Sequence, residues 1–483
     1  MTQESEGWHD LAIRGGHVID GTGHARFVAD VLVTSGRISG VVAPGAGRSK
    51  DTLDASGRIV CPGFIDTHSH DDRYVLEANS PHAKLSQGVC TVVTGNCGIS
   101  LAPWVSDNPP PPLDLLGDSA YHFSSFSDYL TALDAVALQV NVVPLIGHTT
   151  LRVGRVQNIQ KEATALEAKA MYQDVAHAMD AGAFGLSTGV YYPPAFAATP
   201  SELKVVGSAL QGRCAVLACH IRDEGDQIDA ALREAFDVAR HCDSTLVLSH
   251  HKVVGSMNKG RSRETLRAIE RAAESMDVCF DCYPYDASST MLSPAKAATT
   301  RDVLITWSLP YPDLSGKRLA AIAADWRVDA EEAARRLMPG GAIYFSMAEE
   351  DVQRILAHPL AMIGSDGLAH DARPHPRFWG TFPRVLGHYS RDLRIFSLEM
   401  AVHKMTGLPA RRFGLHDRGS IREGLAADIV IFDPRLINDC ATYEKSTESS
   451  VGLDAVLVNG SLACWRGTVT RTSSGKRLRP SQK

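Results

Sequence analysis

The segment Gly63–Asp72, GFIDTHSHDD, follows a run of hydrophobic residues and contains two histidines one position apart. On this predicted strand, alternation places Asp66, His68 and His70 on one face, so the two imidazoles converge. Imidazoles at this spacing can chelate one metal ion. The segment therefore predicts part of a metal site.

Other residues of the types that bind metals stand at the ends of further hydrophobic runs. Cys97 follows one such run and Asp366 follows another. His220 and His250 end two more. A thiolate can bind zinc and can bridge two ions. A lone histidine on a strand is more often an ordinary core residue, so the metal hypothesis depends on all these residues meeting at one edge.

Strand alternation also sorts two pairs of neighbouring residues. His250 and His251 are adjacent and would point to opposite faces, so at most one can bind a metal from within the strand. Cys279 and Cys282 form a CxxC pattern, but residues three apart on a strand also face opposite ways. We expect the cysteine pair to serve packing. The choice of His250 over His251 depends partly on the family resemblance described below.

Strands and helices alternate through the middle of the chain. Eight hydrophobic runs, from IVCPGFIDTHSH to AMIGSDG, are separated by stretches such as QIDAALREAFDVARH, in which hydrophobic residues recur every three or four positions. This alternation predicts a parallel sheet. The economical closed arrangement is an α/β fold, a (β/α)8 TIM-type barrel, in which the carboxyl ends of the strands meet at the active site.

The two ends of the chain have a different pattern. Short β runs broken by glycine turns occupy residues 11–60, and similar runs near the C-terminus flank an Asn459-Gly460 pair, a strong hairpin signal. A long segment between the seventh and eighth hydrophobic runs exceeds an ordinary connection. We predict three parts: a small β-sandwich domain from 1–61 and 417–483, a metal-dependent hydrolase barrel from 62–286 and 345–416, and an insertion, 287–344, that caps the active site.

Composition and charge narrow the classes of partner. The chain has 483 residues and a formal net charge of -6, which gives no basic surface of the kind that binds nucleic acid or an anionic membrane. The start, MTQESEGWHD, has no signal-peptide pattern, and no hydrophobic stretch is long enough for a membrane helix. We therefore expect a cytoplasmic protein with a small-molecule substrate, and leave the oligomeric state open.

These motifs resemble those of a known family. This chain resembles the metal-dependent amidohydrolase superfamily in its set of polar residues. It has the HxH pair, histidines at the ends of the fifth and sixth predicted strands (His220 and His250) and an aspartate after the eighth (Asp366). More narrowly, the segments CPGFIDTHSHDD, TVVTGNCGISLAP, CHIRDEG, SHHKV, MIGSDG, HPRFWGTFPRVLGHY and KMTGLPA resemble the N-acyl-D-amino-acid deacylases, or D-aminoacylases. Many amidohydrolases bridge two metals with a carboxylated lysine on strand four. STGVYYPP here has no lysine, and the deacylases use the strand-two cysteine instead.

The resemblance implies a zinc cofactor at up to two positions. Cys97, His220 and His250 would form the tight site, and His68 and His70 would share Cys97 in a second, weaker one. Soft thiolate and imidazole ligands suit zinc. Whether one ion or two are bound stays open at this point.

The resemblance also implies the reaction. Asp366 would lie at the metal, take a proton from the attacking water and pass it to the departing nitrogen, because an amine leaves poorly unless it is protonated. The products would be a carboxylate and a free D-amino acid. The preference for the D enantiomer comes from the resemblance alone.

Five residues are candidates for binding the substrate. Arg377, Tyr192, Tyr283 and Lys252 match motif positions of the family and would bind the α-carboxylate, for which a bidentate arginine is the best physical partner. Lys296, in the insertion, could pair with an acidic side chain, which suggests a preference for N-acyl-D-glutamate or N-acyl-D-aspartate. An ordinary exposed lysine is the alternative interpretation of Lys296.

Two other functions compete with this one. A cyclic amidohydrolase of the hydantoinase type, or a deaminase, would share the fold, but the missing strand-four lysine and the carboxylate-binding set argue against them. A non-catalytic relative would be expected to lose metal ligands, whereas every ligand position is filled here.

Overall fold

The computed structural model describes residues 8–77, 82–104, 109–116, 122–470 and 472–481. The first seven residues of the predicted terminal β domain lie outside these ranges. The strands are β1 His9–Val18, β2 Phe27–Thr34, β3 Arg37–Val42, β4 Ser49–Asp54, β5 Ile59–Pro62, β6 Phe64–Asp66, β7 Val89–Thr94, β8 Asn141–Pro144, β9 Ile146–Gly147, β10 Gly185–Gly189, β11 Val216–His220, β12 Thr245–Leu248, β13 Val278–Cys282, β14 Ala287–Met291, β15 Val303–Ser308, β16 Gly340–Phe345, β17 Ala361–Ile363, β18 Ile429–Phe432, β19 Leu453–Val458, β20 Ser461–Trp465 and β21 Thr468–Val469.

Helices follow most of the central strands. They are α1 His82–Leu85, α2 Phe126–Ala135, α3 His148–Arg155, α4 Ala165–Ala181, α5 Pro193–Phe196, α6 Pro200–Gly207, α7 Ile228–Cys242, α8 Ser262–Ala273, α9 Pro294–Thr299, α10 Leu319–Trp326, α11 Ala330–Leu337, α12 Glu349–Ala357, α13 Arg377–Arg384, α14 Leu398–Met405 and α15 Gly407–Arg412. Among the described residues, none of these helices is both long and apolar enough to cross a membrane.

Strands from both ends of the chain share one nine-stranded sheet. Its order is β21-β20-β19-β18-β5-β1-β2-β3, and β4 pairs with β1. β18 runs antiparallel to β5, which joins the C-terminal strands to the N-terminal ones. The predicted hairpin at Asn459-Gly460 is confirmed: it connects β19 to β20, and both residues have positive φ values, 46° and 83°.

The central strands form two parallel sheets. One has the order β6-β7-β8 and the other β17-β13-β12-β11-β10-β9. β8 and β9 are separated by Leu145 only, so one stretch of chain enters both sheets. At the opposite edges, the Thr67 amide donates to the Ile363 carbonyl (3.4 Å) and the Asp366 amide donates to the His68 carbonyl (2.7 Å). The carboxyl ends of these parallel strands therefore lie on one side of the molecule.

The sequence of the central elements explains their burial. Every residue of β7, VCTVVT, is buried, as is typical of a parallel strand covered on both faces. α7 buries one face only, through hydrophobic residues that include Ile228, Leu232 and Phe236. Amphipathic helices thus cover the hydrophobic strands. The buried polar side chains at the strand ends therefore form hydrogen bonds and ion pairs with one another.

The predicted insertion contains a sheet of its own. β14, β16 and β15 lie side by side in that order and run antiparallel. α9, α10 and α11 pack on them around a buried cluster that includes Ile305, Leu319 and Tyr344. Arg377 donates to the Ser289 carbonyl (3.1 Å), so this sheet contacts the segment that follows β17. The insertion is therefore a folded unit and not a long irregular loop.

Candidate metal centre

The predicted metal-site residues meet at the carboxyl ends of the parallel strands, and all of them are buried. Each offers one ligand atom, and within each of three groups these atoms lie within 4.8 Å of one another. The groups are His68, His70 and Cys97; Cys97, His220 and His250; and His68, His250 and Asp366. Cys97 belongs to the first two groups, which is the position that a bridging thiolate requires.

The ligand atoms face one another directly. Cys97 Sγ lies 3.2 Å from His68 Nε2 and 3.3 Å from His250 Nε2. His250 Nε2 lies 2.9 Å from His220 Nδ1. Burial by itself raises the pKa of the Cys97 thiol, but His68 and His250 bring it well below the ordinary value. A thiolate among imidazole nitrogens is a set that fits zinc.

Three of these residues have unusual backbone conformations. Cys97, His250 and Asp366 have φ values of 53°, 37° and 49°, in the left-handed region that non-glycine residues rarely adopt. Such conformations cost roughly 1–3 kcal/mol each and occur mainly at functional sites, where surrounding contacts maintain them. Gly189 shows how closely the chain approaches here, because a Cβ atom on it would lie 2.0 Å from the Cys97 carbonyl oxygen.

Asp366 lies between the histidines and Arg377. Its Oδ1 atom is 3.3 Å from His70 Nε2 and 3.6 Å from His68 Nε2. Its Oδ2 atom is 2.9 Å from the Arg377 guanidinium. Burial by itself would raise the pKa of Asp366, but Arg377 and the histidines hold it well below the ordinary value. This direction of the pKa shift favours the ionised form of the carboxylate.

Three of the predicted substrate-binding residues line one cavity together with metal-site residues. Tyr192, Lys252 and Lys296 share this cavity with His70 and Asp366. Lys252 is buried and bonds to a buried glutamate, Glu224, so it is not a solvated charge at the rim.

Lys296 lies in this cavity with its ammonium facing aromatic rings. Its Nζ atom is 4.4 Å from the centre of the Tyr344 ring and 6.0 Å from that of Tyr191. Burial lowers the pKa of Lys296 to about 8, so the ammonium form still prevails at neutral pH. The interpretation of Lys296 as an ordinary exposed lysine does not fit this position.

Arg377 and Tyr283 form a second pair at the site. The guanidinium of Arg377 lies 4.6 Å from the centre of the Tyr283 ring, and its charge is paired with Asp366. Arg377 is 1% exposed. The predicted carboxylate clamp therefore already has a carboxylate partner in the protein, and it links Ser289 of the insertion to Asp366.

The expectation about Asp66 is wrong. β6 ends at Asp66, so His68 and His70 lie beyond the strand and alternation does not align the three residues. Asp66 instead accepts hydrogen bonds from buried Lys84 (2.8 Å) and from the Ser365 amide (2.8 Å). It is therefore absent from the metal-ligand groups of the described residues.

The structure separates both residue pairs, although His250 and His251 lie beyond the end of β12 at Leu248 and only the two cysteines lie within a strand. His251 Nε2 lies 3.0 Å from Thr265 Oγ1, on the side away from Cys97, which His250 faces. Cys279 and Cys282 belong to different hydrophobic clusters of the core.

Sequence reasoning missed two buried carboxylates beside the ligands. Asp281 Oδ1 accepts a hydrogen bond from the His250 amide (2.7 Å) and lies 3.3 Å from His68 Nδ1. Glu224 Oε1 lies 3.1 Å from His250 Nδ1. A signal for Asp281 was available, because a charged residue inside the hydrophobic run VCFDC needs a buried partner.

Comparison with known proteins gives consistent matches over most of the chain. The model of the amidohydrolase family matches residues 51–218 and 262–463. A D-aminoacylase of Alcaligenes xylosoxydans xylosoxydans is 48% identical over 99% of this chain and 99% of its own length. An N-acyl-D-aspartate deacylase of the same organism is 48% identical over 93% of this chain and 91% of its own length.

A solved structure is similarly close. The N-acyl-D-glutamate deacylase of Bordetella bronchiseptica, in complex with zinc and a phosphonate that mimics the tetrahedral intermediate, is 45% identical, with a TM-score of 0.94. The match covers 98% of this chain and 100% of that one.

Proposed function

The chain belongs to the amidohydrolase family, among its N-acyl-D-amino-acid deacylases, and on this premise we propose that it hydrolyses N-acyl-D-amino acids to a carboxylate and a free D-amino acid. The observation that carries the proposal is the convergence of thiol and imidazole groups around Cys97 beside an ionised Asp366. The similarity to deacylases of three different names supports the reaction class and leaves the preferred side chain to be argued from the site.

The metal would be held by the residues that already face one another. Cys97, His220 and His250 would form the tight zinc position, and His68 and His70 would share Cys97 at the second. A zinc ion held by these residues would supply a water with its pKa lowered to about 7 and would polarise a carbonyl group.

Asp366 would act as the proton shuttle. Its carboxylate lies at the histidines, is ionised, and opens onto the cavity that the substrate would occupy. It would accept a proton from the attacking water and donate it to the nitrogen of the breaking amide bond. Arg377 keeps this carboxylate charged and fixes its direction.

The remaining predicted residues would bind the substrate. Lys252 and Tyr192 line the cavity together with Asp366, and Arg377, which pairs with Asp366, lies against the Tyr283 ring. These four residues would bind the α-carboxylate beside Asp366. Lys296 would pair with an acidic side chain, because its ammonium group lies in the cavity against Tyr344. We therefore infer a preference for N-acyl-D-glutamate or N-acyl-D-aspartate.

We also propose the architecture predicted from the sequence. β6, β7, β8, β10, β11, β12, β13 and β17 would close into an eight-stranded barrel, supported by the hydrogen bonds between the segments after β6 and β17. The barrel would comprise 62–286 and 345–416, the terminal residues 1–61 and 417–483 would form a separate β domain, and 287–344 would cap the barrel mouth.

The function is tested with purified, zinc-loaded protein and three substrates: N-acetyl-D-leucine, N-acetyl-L-leucine and N-acetyl-D-glutamate. We expect hydrolysis of the D compounds only, and its loss after chelation of the metal. Hydrolysis of hydantoin but of none of these substrates would favour a cyclic amidohydrolase, and a stable, metal-free, inactive protein would favour a non-catalytic role.

The same assay tests the side-chain preference. Lys296→Ala should lower the ratio of kcat/KM for N-acetyl-D-glutamate over N-acetyl-D-leucine about tenfold, which corresponds to about 1.4 kcal/mol. Lys259→Ala, at a surface ion pair, is the matched control and should leave the ratio unchanged. An unchanged ratio in Lys296→Ala would contradict the proposed acidic preference.

A further inference from the structure

Two buried carboxylates contact the metal-site histidines on their far side. Asp281, on β13, is 1% exposed, and Glu224, after β11, is 7% exposed. Asp281 Oδ1 lies 3.3 Å from His68 Nδ1, and Glu224 Oε1 lies 3.1 Å from His250 Nδ1. Each carboxylate therefore faces the ring nitrogen that points away from Cys97.

This arrangement selects one form of each imidazole. A neutral imidazole carries a proton on one nitrogen and a free electron pair on the other. A carboxylate beside Nδ1 accepts the proton there and leaves the electron pair on Nε2. In both His68 and His250, Nε2 is the atom next to Cys97 Sγ, at 3.2 Å and 3.3 Å. The electron pairs are thus directed to the place where a metal would be bound.

We propose that Asp281 and Glu224 are positioning residues that separately control the two halves of the metal site. Asp281 would prepare His68, in the group with His70, and Glu224 would prepare His250, in the group with His220. The assignment rests on the proposed zinc site.

Asp281 also supports the backbone of the neighbouring ligand. It accepts the amide hydrogen of His250 at 2.7 Å, and His250 has the strained φ of 37°. An asparagine at this position could still accept that hydrogen through its carbonyl oxygen. Its NH2 group would take the place of Asp281 Oδ2, which lies 3.4 Å from His68 Nδ1, and would favour the form of His68 that has its proton on Nε2. Asp281→Asn therefore isolates the effect on His68.

Glu224 also binds Lys252, whose ammonium group lies close to both Glu224 Oε1 and His250 Nδ1. Lys252 Nζ lies 2.7 Å from His250 Nδ1 and 2.5 Å from Glu224 Oε1. When Nδ1 of His250 carries a proton, both groups are donors, and only Glu224 Oε1 can accept from both. A glutamine keeps one acceptor oxygen but loses the negative charge that holds these two neighbouring donors together. Glu224→Gln should therefore disturb both the metal ligand and the lysine that lines the substrate cavity.

The test is metal binding, measured by chelator competition with zinc on wild type, Asp281→Asn and Glu224→Gln. Carboxylates behind metal ligands typically contribute about 10- to 100-fold in metal affinity. We therefore expect Asp281→Asn to lose about that factor in zinc affinity at the position formed by His68 and His70. Glu224→Gln should lose a similar factor at the Cys97, His220 and His250 half. It should also weaken the charge-transfer band between cobalt and the thiolate in cobalt-substituted protein, which Asp281→Asn should keep.

Asp351→Asn is the matched control, because Asp351 is a buried carboxylate that pairs with Arg354 and Ser262, outside the metal-ligand groups. It should bind zinc as the wild type does. Unchanged affinity at both positions in Asp281→Asn and Glu224→Gln would overturn the assignment, while the proposed function would stand if the wild type binds zinc. A wild type that binds no zinc would overturn the proposed function and this assignment with it.

A second measurement uses the wild type alone, so it does not depend on whether a variant folds. Nitrogen NMR of the zinc-loaded wild type, with isotope-labelled histidine, reports which ring nitrogen of each histidine carries the proton. We expect the Nδ1 form for His68 and His250. The Nε2 form in both would contradict the assignment even if the variants prove unstable.

Discussion

At the residue scale, the positions of Cys97 and Asp366 allow zinc binding and proton transfer to be tested separately. Cys97 is shared by two of the three ligand groups, whereas Asp366 contacts the histidines from one side and is held by Arg377. We expect Cys97→Ala to lose bound zinc and activity together. Asp366→Ala should keep zinc and lose roughly 100- to 10,000-fold in kcat, because proton transfer is removed while the thiol and imidazoles remain.

Metal analysis and steady-state kinetics on both variants check this prediction. Thermal unfolding of each variant controls for a general loss of structure. A near-normal rate in Asp366→Ala would contradict the proton shuttle, and full zinc content in Cys97→Ala would contradict the shared ligand.

The residue types of the site could be predicted from the sequence, but their partners could not. Cys97 and Asp366 are noticeable because polar residues there follow hydrophobic runs. Asp66 has the same appearance, yet it is bound by Lys84 and lies outside the ligand groups of the described residues. Glu224 and Asp281 meet their histidines only because separate strands are neighbours. The charged Asp281 within VCFDC indicates that a buried partner exists, but the local sequence does not indicate which residue it is.

At the scale of elements, the salt bridge between α3 and α6 connects the helices that follow two neighbouring strands. Arg152 pairs with Glu202, both are buried, and His148 Nε2 lies 3.0 Å from Glu202 Oε1. Burial by itself raises the pKa of Glu202, but His148 and Arg152 lower it to about 2. Because the folded value is lower than that of an unfolded chain, the ionised carboxylate stabilises the fold above about pH 4, and this contribution is lost as the pH falls towards 2.

Glu202→Gln should therefore be less stable than the wild type at pH 7, and the difference should shrink by about 2 kcal/mol between pH 7 and pH 3. Urea unfolding at several pH values between 7 and 3 measures it. Glu332→Gln, at an exposed salt bridge on α11, should show no such convergence. A stability gap that is the same at pH 7 and pH 3 would show that Glu202 is not the responsible group.

The ends of the strands show which features of the secondary structure the sequence predicts correctly and which it does not. The run TLVLSHHK predicts a strand to His250, but β12 ends at Leu248 and the ligand lies just beyond it. The central strands could be predicted because hydrophobic runs alternate with amphipathic helices within short stretches of chain. The sheet of β14, β15 and β16 could not, since β14 pairs with β16 across about fifty residues and the register comes from tertiary contacts.

At the scale of the whole molecule, Asp428 connects the terminal sheet to the parallel strands. Its side chain pairs with Arg418 and accepts from Asn141 Nδ2 (3.0 Å), at the start of β8, and from the Asn459 amide (2.6 Å). Its carbonyl accepts from the Gly63 amide (2.8 Å), just before β6. One buried carboxylate therefore satisfies donors from both parts of the chain.

Asp428→Ala should destabilise the protein by about 3–5 kcal/mol, because it removes the buried carboxylate partner of the buried Arg418 guanidinium and leaves only the half-exposed Asp417 beside it. Asp417→Ala is the matched control: Asp417 contacts the same arginine at 3.0 Å, but its side chain is 45% exposed, and surface pairs contribute about 1 kcal/mol or less. Urea unfolding followed by circular dichroism and by residual activity should show both signals shifting together in Asp428→Ala. Equal effects of the two variants, or a shift in circular dichroism alone, would contradict the view that Asp428 joins the terminal sheet to the strands that carry the site.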